Sequence, residues 1–146
     1  MSQPTQVDPR GLRVVAGITA VVLAAVLLIP SEPVRIILLA VQVAVFAIAA
    51  LVSLTRSPYA IVYATLVRPR LGPPAELEDA RPPRFAQLVG LAFTTVALVT
   101  LIAGATTVAL VATGLALVAA LLNAVVGLCL GCELYLVLRR LAPAGA

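Results

Sequence analysis

Long apolar runs separated by short polar stretches organise this chain and predict helices that cross a membrane. The first two runs predict spans at about residues 14–30 and 34–54, joined by a polar turn that contains Glu32 and Pro33. Each run is close to the roughly 20 apolar residues that a helix needs to cross a hydrocarbon core. A cleaved signal peptide is the alternative for the first run. Because no A-x-A cleavage site follows it, we expect the helix to be retained.

The second half of the chain is apolar over the 54 residues of Phe85–Leu138, with Glu133 as the single charge. As one helix this segment would be about 80 Å long, far more than a bilayer accommodates, so it must fold back. The best break is Gly104–Thr106, where glycine interrupts the apolar pattern. The sequence therefore predicts a third span at about residues 85–103 and a fourth at about 107–126.

The segment after the fourth span either continues as one helix or kinks near Gly127 on its way to residue 140. A continuous helix over residues 107–138 would exceed the roughly 30 Å of hydrocarbon. We favour the kink, because it moves Glu133 to the headgroup boundary, where an ionised carboxylate is less costly than at membrane depth.

A polar connection separates the two pairs of spans. Ser57 followed by Pro58 is a good N-cap and first-turn pair, and tyrosines follow on one face, which predicts a short interfacial helix at about residues 58–67. Residues 68–84 carry five prolines and mixed charge and predict a stiff loop. The whole pattern predicts a single all-α domain over residues 1–146. It is an integral membrane four-helix bundle with a short interfacial helix and an Arg/Pro-rich cytoplasmic loop.

Composition supports a membrane protein and indicates its orientation. Hydrophobic residues make up 62% of the chain and charged residues 11%, well outside the range of soluble domains. All ten basic residues are arginines, and four spans place nine of them on the side of both termini and only Arg35 on the other. The positive-inside rule therefore predicts a multi-pass membrane protein with both termini in the cytoplasm. The arginines flank apolar runs, so the expected partner is the lipid bilayer and not nucleic acid.

Candidate chemistry is concentrated at Cys129, Cys132 and Glu133. On a helix, Glu133 lies about 40° to one side of Cys129 and Cys132 about 60° to the other, so all three share a face. Cysteines at positions i and i+3 of a helix are about 5 Å apart at Cα, a separation that a disulfide accepts. The pattern predicts a redox-active pair, with Glu133 as a proton acceptor and Arg139 and Arg140 as electrostatic support.

Two other interpretations of the cysteines stay open. They can be small apolar side chains that pack a helix interface beside Gly127 and Gly131. They can also form half of a zinc site completed by a partner, although the chain has no histidine. We expect no metal and no cofactor.

Two further groups of polar residues are candidates for binding. Asn123 is the deepest polar side chain of the last apolar run, and a helix–helix hydrogen bond is its simplest role. The loop arginines can contact anionic lipid headgroups or a soluble partner. They are Arg68, Arg70, Arg81 and Arg84.

Several motifs resemble those of a bacterial membrane family, domain of unknown function 4395. They are VDPRG at Val7–Gly11, SPY at Ser57–Tyr59, LVRPRLGPPAELED at Leu66–Asp79, PPRFAQ at Pro82–Gln87, ATGLAL at Ala112–Leu117 and CLGCELYLVLRR at Cys129–Arg140. The resemblance implies an integral protein of the bacterial plasma membrane. It also implies, through the association of family members with thioredoxin-like and sulfurtransferase-like proteins, thiol or sulfur chemistry at Cys129 and Cys132.

These observations favour a thiol-redox or sulfur-relay partner of a soluble thioredoxin-like or sulfurtransferase protein, working through a cytoplasm-facing C-x-x-C. One alternative is a small transporter acting as a homo-oligomer, and another is a non-catalytic membrane anchor or assembly factor. A quinone-linked disulfide generator, which would normally face the oxidising side of the membrane, is a further possibility.

Overall fold

The computed structural model describes residues 5–142, which are almost entirely helical. Between the longer helices lie π-helical turns at Ile48–Val52 and Tyr63–Val67 and a 3-10 turn at Leu54–Arg56. The α-helices are α1 Pro9–Leu28, α2 Glu32–Ala47, α3 Pro58–Val62, α4 Arg68–Leu71, α5 Arg81–Ile102, α6 Thr106–Val126 and α7 Leu130–Leu141.

Four of these helices are long and apolar enough to cross a membrane. They are α1, α2 with its π-helical extension to Val52, α5 and α6, each of 20 to 22 residues. Their outer faces carry large apolar side chains, such as Val21 with 71% of its surface exposed and Val99 with 58%. A soluble protein rarely exposes so much apolar surface, and a bilayer would cover it. The predicted all-α fold with four membrane-type helices is confirmed.

Polar side chains and prolines start several of the helices, as the sequence pattern indicates. Asp8 caps α1 by accepting from the N–H of Arg10 at 2.9 Å, and Pro9 occupies the first turn. Ser57 caps α3 by accepting from the N–H of Ala60 at 3.2 Å. These side chains satisfy N–H groups that the first helical turn leaves unpaired.

The four long helices form a closed ring in which α1 contacts α2, α2 contacts α5, α5 contacts α6 and α6 returns to α1. The core of one end is built from small and branched apolar residues, among them Val26, Leu39 and Ala97, which are at most 1% exposed. Phe46 of α2 lies against Gly90 of α5, where a Cβ would meet its ring at 2.6 Å. The α7 helix lies outside the ring and packs mainly against α5.

The connection between α2 and α5 is more helical than the sequence pattern suggests. Helical turns extend from Pro58 to Leu71, and α5 already begins at Arg81, so the loop is confined to residues 72–80. Proline at the start of a helix loses no intrahelical hydrogen bond, which lets α4 and α5 begin with prolines in their first turns. A two-residue antiparallel pairing joins the loop to the start of the chain, with Gln6 opposite Asp79.

A candidate thiol site at the junction of α6 and α7

The α6 helix ends at Val126, and a sharp change of direction follows. Gly127 has a φ of 74°, in the left-handed region where glycine carries no steric penalty. Its N–H still bonds the carbonyl of Asn123 at 3.1 Å, and α7 begins only at Leu130. Of the two possible courses for this segment, the structure has the break and not the continuous helix.

Cys129 is the N-cap of α7, and Cys132 lies in its first turn. The two sulfurs are at bonding distance, and the Cα atoms are 5.1 Å apart. The Cys129 Sγ also accepts a hydrogen bond from the backbone N–H of Cys132 at 3.1 Å. Both residues are half-buried. Because Cys129 has an extended backbone, the helical angles expected from its spacing apply only from Leu130 onward.

Close packing against α5 holds this first turn of α7 in place. A Cβ on Gly131 would lie 2.6 Å from both the Cα and the Cβ of Ala86, so only glycine lets the helices approach this closely. One turn further, the rings of Phe85 and Tyr135 are 5.7 Å apart at their centroids. This is a favourable separation for an aromatic pair.

A cavity of about 600 Å³ lies directly beside the two cysteines, and both line it. Its walls come from α1, α2, α5, α6 and α7 and from Glu78 of the loop at residues 72–80, and most lining residues are apolar. The polar side chains on its wall include Asn123, Arg13 and Gln87. The Oε1 atom of Gln87 is buried and has no hydrogen-bond partner among residues 5–142, a state that costs about 1–3 kcal/mol.

Arg13, on the adjacent helix α1, stabilises the break at Gly127. Its Nη2 atom donates to the carbonyl oxygens of Val125 at 2.8 Å and Ala124 at 3.2 Å. These are carbonyls of the last turn of α6, which lack intrahelical partners and carry the negative end of the helix dipole. In the sequence Arg13 is only one of the charges that indicate topology, and this role is not visible there because its partners are more than a hundred residues away.

Two more arginines bond the ends of neighbouring helices in the same way. Arg35 donates from Nε to the carbonyl of Val26 at 2.9 Å, near the end of α1. Arg84 donates from Nε to the carbonyl of Ala50 at 2.7 Å, in the π-helical end of α2. Arg84 was a candidate for lipid or partner contact, and its guanidinium is partly engaged in this internal bond.

The other candidate residues lie farther from the sulfurs. Glu133 is exposed in the first turn of α7, and its N–H bonds the carbonyl of Cys129 at 3.0 Å. Arg139 and Arg140 are in the last turn, about 10 Å along the helix axis from Cys132. Arg139 lies over the ring of Tyr135 at 5.9 Å.

The remaining arginines of the predicted loop at residues 68–84 lie on the outside of the molecule. Arg68 and Arg70 are exposed on α4. Arg81 forms an exposed ion pair with Asp79 at 2.6 Å. These positions leave the three guanidinium groups accessible to a headgroup or a partner.

A second polar cluster fastens the start of α1 to the α3–α4 segment. Asp8 pairs with Arg10 at 2.9 Å and accepts a hydrogen bond from the Tyr63 hydroxyl, while Arg10 also donates to the carbonyl of Gly72 at 2.9 Å. The hydrogen bond from Arg10 holds the pKa of Asp8 at about 2. Burial and the contact with Asp8 raise the pKa of Tyr63. Sequence reasoning assigned Tyr63 to the membrane interface and missed Asp8.

No group of three metal-binding side chains is found within residues 5–142. A protein-family profile described as domain of unknown function (DUF4395) matches residues 7–140. The chain belongs to this family. The match confirms the resemblance drawn from the sequence motifs and covers the cysteine pair, the loop and all four long helices of this DUF4395 protein. No curated protein and no solved structure matches the chain.

Proposed function

We propose that this DUF4395 protein exchanges thiols and disulfides, or relays sulfur, with a soluble thioredoxin-like or sulfurtransferase protein. The observation that carries the proposal is the position of Cys129 and Cys132. They lie at bonding distance from one another at the start of a helix, half-buried at the wall of a cavity. Two cysteines that only filled space in a helix interface would require neither sulfurs at bonding distance nor a position beside a cavity.

The start of α7 suits a reactive thiol. In the reduced pair, the N–H of Cys132 and the positive end of the α7 dipole favour the thiolate of Cys129 over its thiol. Glu133, one residue after Cys132, is the proposed proton acceptor for the second thiol. Arg139 and Arg140 supply a more distant positive field, screened by solvent at this separation.

The exchange balances as a two-electron reaction. A thiolate of the soluble partner attacks the disulfide at Cys129, forms a mixed disulfide and releases Cys132 as a thiolate, which takes up a proton. The second thiolate of the partner then attacks the partner's first sulfur in the mixed disulfide. The partner's disulfide forms, and Cys129 is released as a thiolate that takes up a proton. The membrane protein gains two electrons and two protons, and the partner becomes a disulfide; the reverse sequence oxidises the membrane protein.

The proposed orientation places this site on the cytoplasmic side of a bacterial plasma membrane. With the helix bounds of the structure, nine arginines still flank one end of the bundle and Arg35 the other. The exposed arginines of α4 and of the first residue of α5, Arg68, Arg70 and Arg81, lie on the same side and form the proposed surface for anionic lipid or for the soluble partner.

A trapping experiment tests the exchange. The Cys132→Ala variant keeps Cys129 but lacks the thiol that resolves a mixed disulfide. With its remaining thiol first converted to a mixed disulfide with a small aromatic thiol, which then serves as the leaving group, it should accumulate a reductant-sensitive adduct with a purified thioredoxin whose own second active-site cysteine is replaced. Cys129→Ala is the matched control, and the double variant should trap nothing. If neither single variant forms the adduct and the double variant behaves like the wild type in cells, the proposal is wrong.

A further inference from the structure

The cavity beside the cysteines is elongated, and this shape limits what it can hold. On α1 its lining extends from Pro9 to Thr19, a distance of about 15 Å along the helix axis. On α6 it extends from Leu115 to Gly127. It therefore reaches from the middle of the helix bundle to the end where Cys129 and Cys132 lie.

The two ends of the cavity differ in chemistry. Phe93 and Leu115 contribute apolar walls at the deep end, where Thr19 adds one small hydroxyl group. Asn123, Arg13 and Gln87 contribute polar groups toward the end that holds the sulfurs, and the buried Gln87 Oε1 lacks a donor within the described part of the chain. A ligand that fits is apolar along most of its length and has a polar head with hydrogen-bonding oxygens at the cysteine end.

We infer that this cavity binds an isoprenoid quinone, with the ring beside Cys129 and Cys132 and the tail toward the middle of the bundle. The inference rests on the proposed function, because it supplies the redox pair with a membrane-soluble electron acceptor. A phospholipid chain would fill the same apolar space, but it cannot accept electrons from a dithiol. The Gln87 amide suits both forms of the ring, since it can donate to a quinone carbonyl and accept from a quinol hydroxyl.

The electron transfer balances without another reactant. The S–H bonds of Cys129 and Cys132 break and the S–S bond forms, which releases two electrons and two protons. The quinone takes up both and becomes a quinol. The reduction potentials of protein dithiols are more negative than those of isoprenoid quinones, so electrons pass from the dithiol to the quinone. The soluble thiol partner then reduces the disulfide again, and the cycle passes its electrons into the membrane.

The test uses the full chain, purified in detergent, reduced and freed of excess reductant. A quinone with a short isoprenoid tail is added, and quinone absorbance and free thiols are followed together. We expect one quinone to be consumed for each pair of thiols lost. The same ring without a tail should react more slowly, because it leaves the apolar part of the cavity empty.

Two variants on neighbouring positions of α6 locate the reaction. Ala119 lines the cavity, and Ala119→Phe should fill it and slow quinone reduction by at least about tenfold. Val118 is 54% exposed on the outside of the same helix, and Val118→Phe should leave the rate within about twofold. Gln87→Leu, close in size and apolar, is a second probe that removes the hydrogen-bonding groups and should weaken quinone binding without filling the cavity.

The outcomes separate this inference from the proposed function. Thiol loss that depends on quinone and is slowed by Ala119→Phe and Gln87→Leu supports it. Equal rates in Ala119→Phe and Val118→Phe would place any quinone reaction outside the cavity and overturn it. A chain that forms the thioredoxin adduct but keeps its thiols in the presence of quinone also overturns it and leaves the exchange function standing. If the chain neither forms the thioredoxin adduct nor reduces the quinone, this inference and the proposed function are both wrong.

Discussion

Arg13, one turn into the first helix, donates a hydrogen bond from Nη2 to the carbonyl oxygen of Val125 at the end of the sixth, at 2.8 Å. The bond closes the ring of spans at the point where α6 stops and the cysteine segment begins. A positively charged donor at this position offsets the unpaired carbonyls that the break at Gly127 exposes. The geometry of the thiol site therefore depends on a residue at the opposite end of the sequence.

Replacing Arg13 with Gln should destabilise the α6–α7 junction. The variant loses a charged donor to two carbonyls, and we expect the free energy of unfolding to fall by about 1 kcal/mol, a value reduced by exposure to solvent. Chemical unfolding in detergent measures the change. Arg140→Gln, at an exposed position in the last turn of α7, is the control and should unfold like the wild type. Equal losses in both variants would contradict a specific role for Arg13.

Gly131 should not tolerate a larger residue. A Cβ at this position meets Ala86 at 2.6 Å, so Gly131→Ala should push α7 away from α5 and lower the free energy of unfolding by about 1–3 kcal/mol. It should also increase the rate at which a thiol reagent modifies the reduced cysteines. Gly114→Ala is the matched control in the middle of α6, where a Cβ has nothing within 4 Å. It should be neutral or raise stability, since alanine favours a helix. The two substitutions are the same chemical change, so a similar loss in both would show that the close contact is not decisive.

Acid should loosen the start of α1. The carboxyl group of Asp8 has a pKa of about 2, below its ordinary value of 3.8, because Arg10 and Tyr63 donate hydrogen bonds to the ionised form. For a lowered pKa, the stabilisation is fully present above the ordinary value and disappears as the pH falls through the lower one. We therefore expect stability to decline from about pH 4 toward pH 2, and the decline to be shallower in Asp8→Asn. Unfolding curves across this pH range measure it.

Asp79→Asn provides the comparison for this pH dependence. Asp79 also has a pKa of about 2, through its hydrogen bonds with Arg81, but that pair is exposed and its partners are two residues apart. Such a pair can also form in the unfolded chain, as can the pair of Asp8 with Arg10, whereas the contact of Asp8 with Tyr63 joins residues 55 positions apart and forms only in the folded chain. Asp79→Asn should change the acid response less than Asp8→Asn. The opposite order would indicate that the loop, and not the start of α1, controls the response.

Labelling with a membrane-impermeant thiol reagent tests the orientation. After reduction, Cys129 and Cys132 should be protected in intact cells and react in inverted membrane vesicles. The control is Glu32→Cys in a chain with both native cysteines replaced by alanine. Glu32 is exposed at the opposite end of the bundle, so this cysteine should react in intact cells. The reverse pattern would place the thiol site on the outer side and refute the cytoplasmic proposal.

The number and kind of long helices could be predicted from the sequence because the residues within each segment are enough to identify it. A run of about 20 apolar residues indicates a helix that can cross a membrane, whichever helices it packs against. The break after α6 could also be anticipated, since an apolar segment of 54 residues cannot lie in one span and Gly127 offers a residue able to turn. The spacing of Cys129 and Cys132 likewise predicted that the two sulfurs lie close enough to bond.

The contacts between distant segments could not be predicted. Nothing near Arg13 in the sequence indicates Val125, and nothing near Asp8 indicates Tyr63. Both arginine and aspartate look like ordinary flanking charges until the helices are packed. The cavity has the same origin, because it is the space left among several helices and no single segment encodes it. The π-helical turn at Tyr63–Val67 is also invisible in a pattern that predicts only a helix.

The closed ring of helices has a consequence for biosynthesis. Because α1 packs against α6, the α1 helix gains this neighbour only after α2 and α5 have also been synthesised. The α1–α2 hairpin must reside in the membrane with one flank uncovered during that interval. A chain truncated before α6 would keep this flank open and present it to the quality-control proteases that survey incomplete membrane proteins.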